Sequence, residues 1–514
     1  MRPHPTDLLR KWLSTHPLAV VMIVAIAVRL VAVIFSKGFI HSDDHYDTIA
    51  TAWDWIANGM TGEDGYLRWK GDNPSYKIGR FPLYVLTQWA MIKSLMSLGI
   101  TSLDSIMYVI RAGHAAISLL PVWAGFAVTR IVTKSDRWAI AAGLVMALYF
   151  ALPFLGVRNL IEMVGGNIWI VAVYFLYRWE SDKQTQSLYL AGILTGLAWM
   201  IRFQIAFAVL PVPFILWWRD RSLKPAAHYS VGVAIMLLLS GVFDWLVLGR
   251  FAGSTIRNLT MNTGLGAMYE TIPLMYVAVL LVLLIPPASI VAIWLWARRS
   301  FRSRHTLLVV SFLAFFLLHS LHINQQERFL FPMIPHILLM TVLAVYQKIH
   351  DDGSLFRWPT LTRIIASWVI VINLALLVFL TPAYGHRGLI EPMISFGQME
   401  HRPHVLIVQP RIRRWSPKEY AGPGLSRYNV RNWEALHDSV VTRGRFDYVL
   451  LYPVPTVAHR AYVDSVQAVL GPLHPVRHYD PSAYDQLLYR LNPKHNRSYE
   501  CWLYRPVDPD DNTG

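Results

Sequence analysis

The chain has 514 residues, of which 54% are hydrophobic and only 15% are charged, and it carries a formal net charge of +15. Soluble proteins carry about 25% charged residues, so this composition excludes an ordinary soluble enzyme, and its hydrophobicity excludes an intrinsically disordered chain. In a membrane protein a basic excess indicates cytoplasmic loops and anionic lipid, so we predict no nucleic-acid partner. The single cysteine, Cys501, excludes an intramolecular disulfide and a cysteine-rich metal site.

Long apolar stretches recur up to residue 381 and predict about eleven transmembrane helices. Their approximate ranges are 17–36, 106–129, 138–156, 163–178, 188–201, 203–218, 229–248, 272–297, 306–321, 329–347 and 362–381. We interpret the first stretch as a retained helix and not as a signal peptide, because Ser36-Lys37-Gly38 is not a small-x-small cleavage site.

Basic clusters such as residues 298–304 separate these stretches and predict which loops face the cytoplasm. All of the clusters face inward if the apolar stretch 81–99, with Lys93 at its centre, is an interfacial helix that does not cross the bilayer. The N-terminus is then inside, and the loop 37–105 and the tail from residue 382 lie outside.

The tail, residues 382–514, has short apolar runs between polar segments and predicts a soluble α/β domain. Its predicted strands are 404–408, 448–452 and 499–504, and its predicted helices are 431–442 and 459–470. Residues 1–381 form the predicted transmembrane catalytic domain. A basic patch in the tail is interpreted as a solvated face, with lipid phosphate as the alternative ligand; it comprises Arg402, Arg411, Arg413 and Arg414.

Residues 40–47, which we call the acidic turn, follow the first predicted span and contain three aspartates and two histidines. One interpretation is a helix start, with Ser42 as cap and Asp43 and Asp44 in the first turn, where the helix dipole favours carboxylates. A second is a metal site made by the two histidines and Asp44. A third is a general base that takes a proton from an incoming hydroxyl. The turn alone leaves the three alternatives open.

Five short stretches share one resemblance, in this order: His41-Ser42-Asp43-Asp44; Ser75–Pro82; Arg158–Glu162; Phe243–Trp245 with Asn258, Asn262 and Gly266–Tyr269; and Glu327–Pro332 with Pro335. Together they resemble the ordered motifs of glycosyltransferase family 22, which are membrane-embedded mannosyltransferases of the GT-C superfamily. The sequence departs from the family where Ser42 replaces a proline and Asp44 a glutamate. It departs again at Asn324-Gln325-Gln326, where the family usually has His-Lys-Glu.

The resemblance implies an α-helical, polytopic GT-C fold with interfacial helices in the first outer loop. It also implies catalysis by Asp43, with Asp44 as second choice. We predict no cofactor and assign no metal-binding residue, and dependence on a divalent metal stays open. Residues implied or expected to bind substrate are His41, Arg80, Arg158, Glu162, Arg202, Glu327 and Arg328. Arginine suits the phosphate of a polyprenyl-phosphate donor because its guanidinium stays charged and grips oxygens with two bonds. For Arg158 and Arg202, pairing with Glu162 or with backbone carbonyls is the structural alternative.

We therefore predict an inverting hexosyltransferase that moves mannose or a related hexose from a polyprenyl-phosphate sugar to a glycan or glycolipid acceptor. The predicted location is a bacterial inner membrane, with membrane lipid as partner and the site on the outer, periplasmic face. One alternative is another GT-C reaction, the transfer of an aminosugar or pentose to lipid A or protein. A lipid-linked sugar flippase or transporter is a further alternative, although the inverted repeats typical of transporters are missing from the sequence.

Overall fold

The computed structural model describes residues 15–63, 65–68, 80–264, 274–321, 325–409, 416–431, 436, 446–453, 458–493 and 496–507. It divides into two compact units. The first unit comprises Met1–Val33, Met60–Leu86 and Arg111–Thr381. The second comprises Ile34–Gly59, Thr87–Ile110 and Pro382–Gly514.

Helices dominate the chain up to residue 380. Their bounds are α1 Pro17–Phe35, α2 Ala50–Asn58, α3 Pro82–Ser97, α4 Leu103–Ile117, α5 Leu120–Thr133, α6 Asp136–Leu148, α7 Ala151–Gly156, α8 Ile161–Asp182, α9 Thr185–Ile201, α10 Ala206–Val209, α11 Val212–Asp220, α12 Leu223–Leu248, α13 Gly253–Gly264, α14 Met275–Leu283, α15 Ala288–Ala297, α16 Arg299–Arg304, α17 Thr306–Ser320, α18 Ile334–Asp352 and α19 Pro359–Leu380. In the described residues every predicted span lies mostly on helix, which confirms the predicted helical membrane fold.

Within the described ranges, five helical stretches are long and apolar enough to cross a membrane. They are Pro17–Phe35, Leu103–Thr133, Leu223–Leu248, Glu327–Asp352 and Pro359–Leu380. The predicted span 272–297 is not one straight helix, because α14 and α15 meet at 108°. Pro286 and Pro287 lie at this bend, and proline has no N–H to continue the helical hydrogen bonds. The total of about eleven crossings stays a prediction.

The predicted span 138–156 is also broken, between α6 and α7 of the first unit. Buried Arg29 of α1 donates to the Met146 carbonyl at 3.0 Å. Asn373 of α19 donates to the carbonyl of Leu148 at 2.9 Å and accepts from the N–H of Phe150 at 3.0 Å. Side chains thus satisfy the backbone groups freed by the break, as a low-dielectric surrounding requires.

The second unit contains a five-stranded sheet in the order β2-β1-β3-β5-β4. Its elements are α20 Arg387–Gly397, β1 His404–Val408, β2 Ser426–Val430, β3 Tyr448–Leu451, α21 His459–Leu470, β4 Leu473–Tyr479, α22 Ala483–Leu491 and β5 Cys501–Pro506. Strands β2 and β3 run parallel to β1, whereas β5 runs antiparallel to β3 and β4. Buried side chains of α21, such as Val466, pack on the apolar face of β1 and β3. The predicted α/β character of the tail is confirmed.

Several predictions for the tail can be compared with the structure only in part, because some of their residues are not described. Of the predicted helix 431–442, only residues 431 and 436 are described, and Arg411, Arg413 and Arg414 of the basic patch lie outside the described residues. Arg402 is exposed, as a solvated face requires, and its guanidinium also donates to the carbonyls of Phe396 and Gly397 at 3.0 and 2.8 Å. It caps the C-terminus of α20, where orphan carbonyls favour a cation.

Candidate active site

The acidic turn lies in the second unit and is built from two tight helical pieces. Ser42–Asp44 forms one α-helical turn, and His45–Ile49 continues it as a π-helix, a rare form that is frequent at functional sites. His41 is extended, with φ −109° and ψ 138°, and occupies the N-cap position. The Ser42 hydroxyl donates to Asp43 at 3.4 Å. The predicted Ser42 cap is therefore wrong, because the chain enters the helix one residue earlier.

The two candidate bases of the acidic turn differ in exposure. Asp44 is buried, with 3% of its surface exposed, whereas Asp43 is half-buried. A general base must come within hydrogen-bond reach of the proton that it abstracts. The more exposed Asp43 can be reached by an acceptor hydroxyl more easily than Asp44, which favours Asp43 as the candidate base. His41, predicted to bind substrate, is half-buried beside them.

The histidines of the acidic turn are not arranged as metal ligands. His45 is buried, and its Nε2 lies 3.7 Å from Oε2 of Glu419. Across the part of the chain that the structure describes, no three histidine, cysteine, aspartate or glutamate side chains are grouped to hold a metal ion. The geometry gives no support to the metal-site alternative. Sequence reasoning missed Glu419, which has no local motif.

In the first unit, the structure brings Arg80, Arg202 and Arg328 around Glu162, and we call this group the arginine cluster. Glu162 lies at the start of α8 with only 1% of its surface exposed. Nη2 of Arg202 and Nε of Arg328 lie 3.1 and 3.9 Å from Oε1 of Glu162. Arg80 also attracts this carboxylate electrostatically. Arg202 and Arg328 are themselves buried, so the group is a desolvated concentration of positive charge.

Two consecutive glycines of α8 allow the arginine-bearing segments to approach Glu162. A Cβ at Gly165 would lie 3.0 Å from Cβ of Arg202. A Cβ at Gly166 would lie 2.6 Å from Cα of Pro332, which belongs to the 3₁₀ segment Glu327–Met333. Larger residues at these positions would push both segments away from α8.

An aromatic ring orients two guanidiniums of the arginine cluster. The Phe329 ring centroid lies 5.1 Å from the guanidinium carbon of Arg202 and 5.7 Å from that of Arg328. Both distances fall within the range of a cation–π attraction. Phe329 is buried, so it limits the directions in which the two guanidiniums can turn.

Two other predicted binding residues take different surroundings. Arg158 is buried between α7 and α8, with its guanidinium 4.6 Å from the Phe154 ring centroid. Glu327 is exposed at the start of its 3₁₀ segment. Pairing with Glu162, the structural alternative for Arg158 and Arg202, is observed for Arg202.

A hydrogen-bond chain that sequence reasoning did not find links α3 to the residue after Arg158. The Tyr84 hydroxyl lies 2.8 Å from Nε2 of His114 and donates to Oδ1 of Asn159 at 2.5 Å. Because this hydroxyl donates to Asn159, Nε2 of His114 supplies the other hydrogen. These hydrogen bonds fix the linker between α7 and α8, which leads into Glu162.

The remaining stretches of the resemblance are only partly described. Residues 75–79, 266–269 and 324 lie outside the described residues. Asp244 is buried and accepts hydrogen bonds from the N–H and hydroxyl of Ser254 at 2.8 and 2.7 Å. These bonds cap the N-terminus of α13, which gives Asp244 a structural role.

Comparisons with known proteins agree with the fold. A family model described as dolichyl-phosphate-mannose-protein mannosyltransferase matches residues 90–245. ArnT from Cupriavidus metallidurans bound to undecaprenyl phosphate is similar at 11% identity and a TM-score of 0.62, covering 96% of this chain and 98% of that one. ArnT from the same organism in the apo state gives 12% identity, a TM-score of 0.60 and the same coverage. No curated protein sequence matches.

The family model and the structural similarity both point to GT-C enzymes. Assignment to family 22 within that superfamily stays a prediction. The chain therefore has a GT-C fold, and the family-model match over residues 90–245 supports membership of the GT-C superfamily of membrane glycosyltransferases.

Proposed function

We propose that the protein is an inverting glycosyltransferase that moves mannose or a related hexose from a polyprenyl-phosphate donor to a glycan or glycolipid acceptor. The arginine cluster carries this proposal, since its three positive charges exceed the single charge of Glu162 by two. Negative charge builds up on the phosphate as its bond to the sugar breaks. Buried guanidiniums stabilise that charge without the cost of reorganising water.

The acceptor hydroxyl is activated by Asp43 in this proposal. The carboxylate takes the hydroxyl proton as the oxygen attacks the anomeric carbon from the side opposite the phosphate. The electron pair of the broken bond leaves with the phosphate, and the configuration at the anomeric carbon inverts. The half-buried position of Asp43 supports its choice over the buried Asp44.

The donor class has two supports from known proteins. The matching family model names dolichyl-phosphate-mannose in its description, which favours mannose on a polyprenyl phosphate. The similar ArnT structure contains undecaprenyl phosphate, which favours the same lipid class. An aminosugar or pentose on the same lipid is the second candidate, because the 11% identity to ArnT supports a shared fold and leaves the sugar open.

We propose an inner-membrane location with the site on the periplasmic face. The support is the charge pattern, in which basic clusters such as residues 298–304 recur at every second loop if the stretch 81–99 does not cross the bilayer. A cysteine introduced at Ile100 in inside-out and right-side-out vesicles tests the sidedness. Labelling of this cysteine from the cytoplasmic side would overturn the proposed sidedness.

The activity is tested with purified protein in lipid nanodiscs. The donors supplied are undecaprenyl phosphates that carry mannose, glucose, an aminosugar or a pentose. A membrane lipid extract provides the acceptor, and the readouts are donor loss and sugar incorporation into acceptor. We expect mannose or glucose to be consumed by the wild type and not by an Asp43→Asn, Asp44→Asn double variant. Consumption of only the aminosugar or pentose would favour the second candidate, and no transfer from any donor would overturn the proposal.

A further inference from the structure

The acidic turn makes a buried contact with a residue of the C-terminal domain. His45, next to Asp44, and Glu419, in the 3₁₀ segment Lys418–Ala421, each have a side chain only 2% exposed. Their facing atoms, Nε2 and Oε2, are 3.7 Å apart. Burying a carboxylate is costly unless a partner compensates it, so this contact constrains both side chains.

Two aromatic rings stack on the imidazole of His45. Its imidazole stacks on Phe39 at 5.3 Å and 19°, and on Tyr420 at 5.5 Å and 16°. Phe39 in turn stacks on His386 at 4.3 Å, and Nδ1 of His386 lies 2.8 Å from the Phe39 carbonyl oxygen. The residues that flank Asp43 and Asp44 are therefore bound to side chains from the far end of the sequence.

The C-terminal side of this contact is itself fixed. Asp485 accepts from the N–H groups of His386 and Arg387 at 2.9 and 3.1 Å, which caps α20. Arg427 donates to the Ser416 carbonyl and attracts Glu419 electrostatically. Glu419 thus projects from a 3₁₀ segment with bonded neighbours and not from an irregular loop.

We infer that Glu419 is a positioning residue for the acidic turn, and that the C-terminal domain completes the active site by holding His45. This inference rests on the proposed function, because it assigns the positioned carboxylate to catalysis. Glu419 does not touch the reacting atoms. It sets the direction of the turn that presents Asp43, and a misplacement of about 1 Å at a reacting group costs about 10²-fold in rate.

Glu419→Gln keeps the size of the side chain and removes its charge. We expect kcat to fall by about 10²-fold while the donor KM changes less than about twofold. His45→Gln should give a similar loss, and the double variant should lose no more than either single variant, because both remove one interaction. Glu500→Gln is the matched control, because it breaks a second His–Glu contact outside the acidic turn. In that contact, Oε1 of Glu500 lies 2.9 Å from Nε2 of His478. It should leave kcat unchanged.

A second measurement separates this inference from the proposed function. Cys501 is buried, so a Ser42→Cys variant carries one reactive thiol in the acidic turn. If Glu419 holds the turn, adding Glu419→Gln raises the maleimide labelling rate at that thiol by about tenfold or more, whatever the chain catalyses. An unchanged labelling rate, or an unchanged kcat in an active enzyme with Glu419→Gln, would overturn the positioning role. Failure of the wild type to transfer sugar would instead count against the proposed function alone.

Discussion

The arginine cluster and the acidic turn carry the two halves of the proposed chemistry, and they are built differently. The arginine cluster is assembled inside one helical unit, where Gly165 and Gly166 let neighbouring segments approach Glu162. The acidic turn is held by rings and a carboxylate from residues far along the sequence, chiefly His386 and Glu419. In the proposed mechanism the charge-binding site thus follows from helix packing within one unit, whereas the aim of the base depends on the C-terminal domain.

Asp43→Asn tests the acidic turn and has the largest expected effect. Asparagine keeps the shape of the side chain but cannot take a proton, so turnover should fall by about 10²–10⁴-fold. Donor affinity should change little, because this carboxylate acts on the acceptor. The measurement is kcat and donor affinity of purified variants that melt at the same temperature as the wild type.

Asp47→Asn is the matched control for that experiment, since it changes another acid of the same turn. It should keep nearly full turnover. Full activity in Asp43→Asn would move the base to Asp44, and full activity in both the Asp43 and Asp44 variants would exclude a general base in the acidic turn.

Arg328→Ala tests the arginine cluster and should affect donor binding and turnover together. Removing one buried, positively charged side chain should lower the turnover rate by about 10²–10³-fold. Arg328→Lys should recover only part of the loss, because an ammonium cannot bind two phosphate oxygens in the guanidinium geometry. Donor affinity by calorimetry, alongside kcat, checks the prediction.

Arg298→Ala is a control for the loss of an arginine, because Arg298 pairs with Asp352 at 3.0 Å on the surface of the first unit. It should leave donor affinity unchanged. If Arg328→Ala lowered kcat alone, the arginine cluster would not bind the donor phosphate in the ground state.

Much of the helical unit could be predicted from hydropathy, but its breaks could not. Apolar runs identify helices because each span must satisfy its own backbone in lipid. The break near Tyr149 depends on Arg29 and Asn373, which come from distant helices and supply its hydrogen bonds. The tail shows the same limit, since the apolar strands β1, β3 and β5 were predicted whereas β2 and β4 were missed. Those two are the edge strands, and edge strands are more exposed and polar.

The candidate site divides in the same way. Glu162, Arg202 and Arg328 were found because the resemblance or their place at helix ends marks them. No sequence motif identifies Glu419, because it lies in a short 3₁₀ segment and contacts the acidic turn only in the folded chain. Sequence patterns report local periodicity, and this contact depends on tertiary packing.

Gly166→Ala tests whether glycine packing builds the arginine cluster, with a smaller expected effect. The added methyl group would press on the Pro332 backbone and push Arg328 away from Glu162. Donor affinity should fall about tenfold, equivalent to about 1.4 kcal/mol. The control is Gly192→Ala, where a Cβ would meet the Tyr229 carbonyl oxygen between α9 and α12. Both variants should lose stability, by about 1–3 kcal/mol each, but only Gly166→Ala should weaken donor binding.

Labelling of Cys501 should have the smallest effect on activity, and its rate tests how firmly the C-terminal domain is packed. Its thiol is fully buried, and Sγ lies 3.4 Å from the Gly388 carbonyl oxygen. Burial raises the pKa of this thiol, and only the thiolate reacts with maleimide, so the native protein should label very slowly. We expect labelling in detergent to be about 10²-fold slower than after denaturation in sodium dodecyl sulfate.

Labelling is followed by mass spectrometry at pH 7, with enzyme activity measured before and after treatment. Activity should not change, because the thiol lies in the domain interior and takes no part in the proposed reaction. Rapid native labelling would mean that β5 separates from α20 in solution. The support behind His386 and Glu419 would then be loose, and the contrast between a locally packed arginine cluster and a remotely held acidic turn would lose its structural basis.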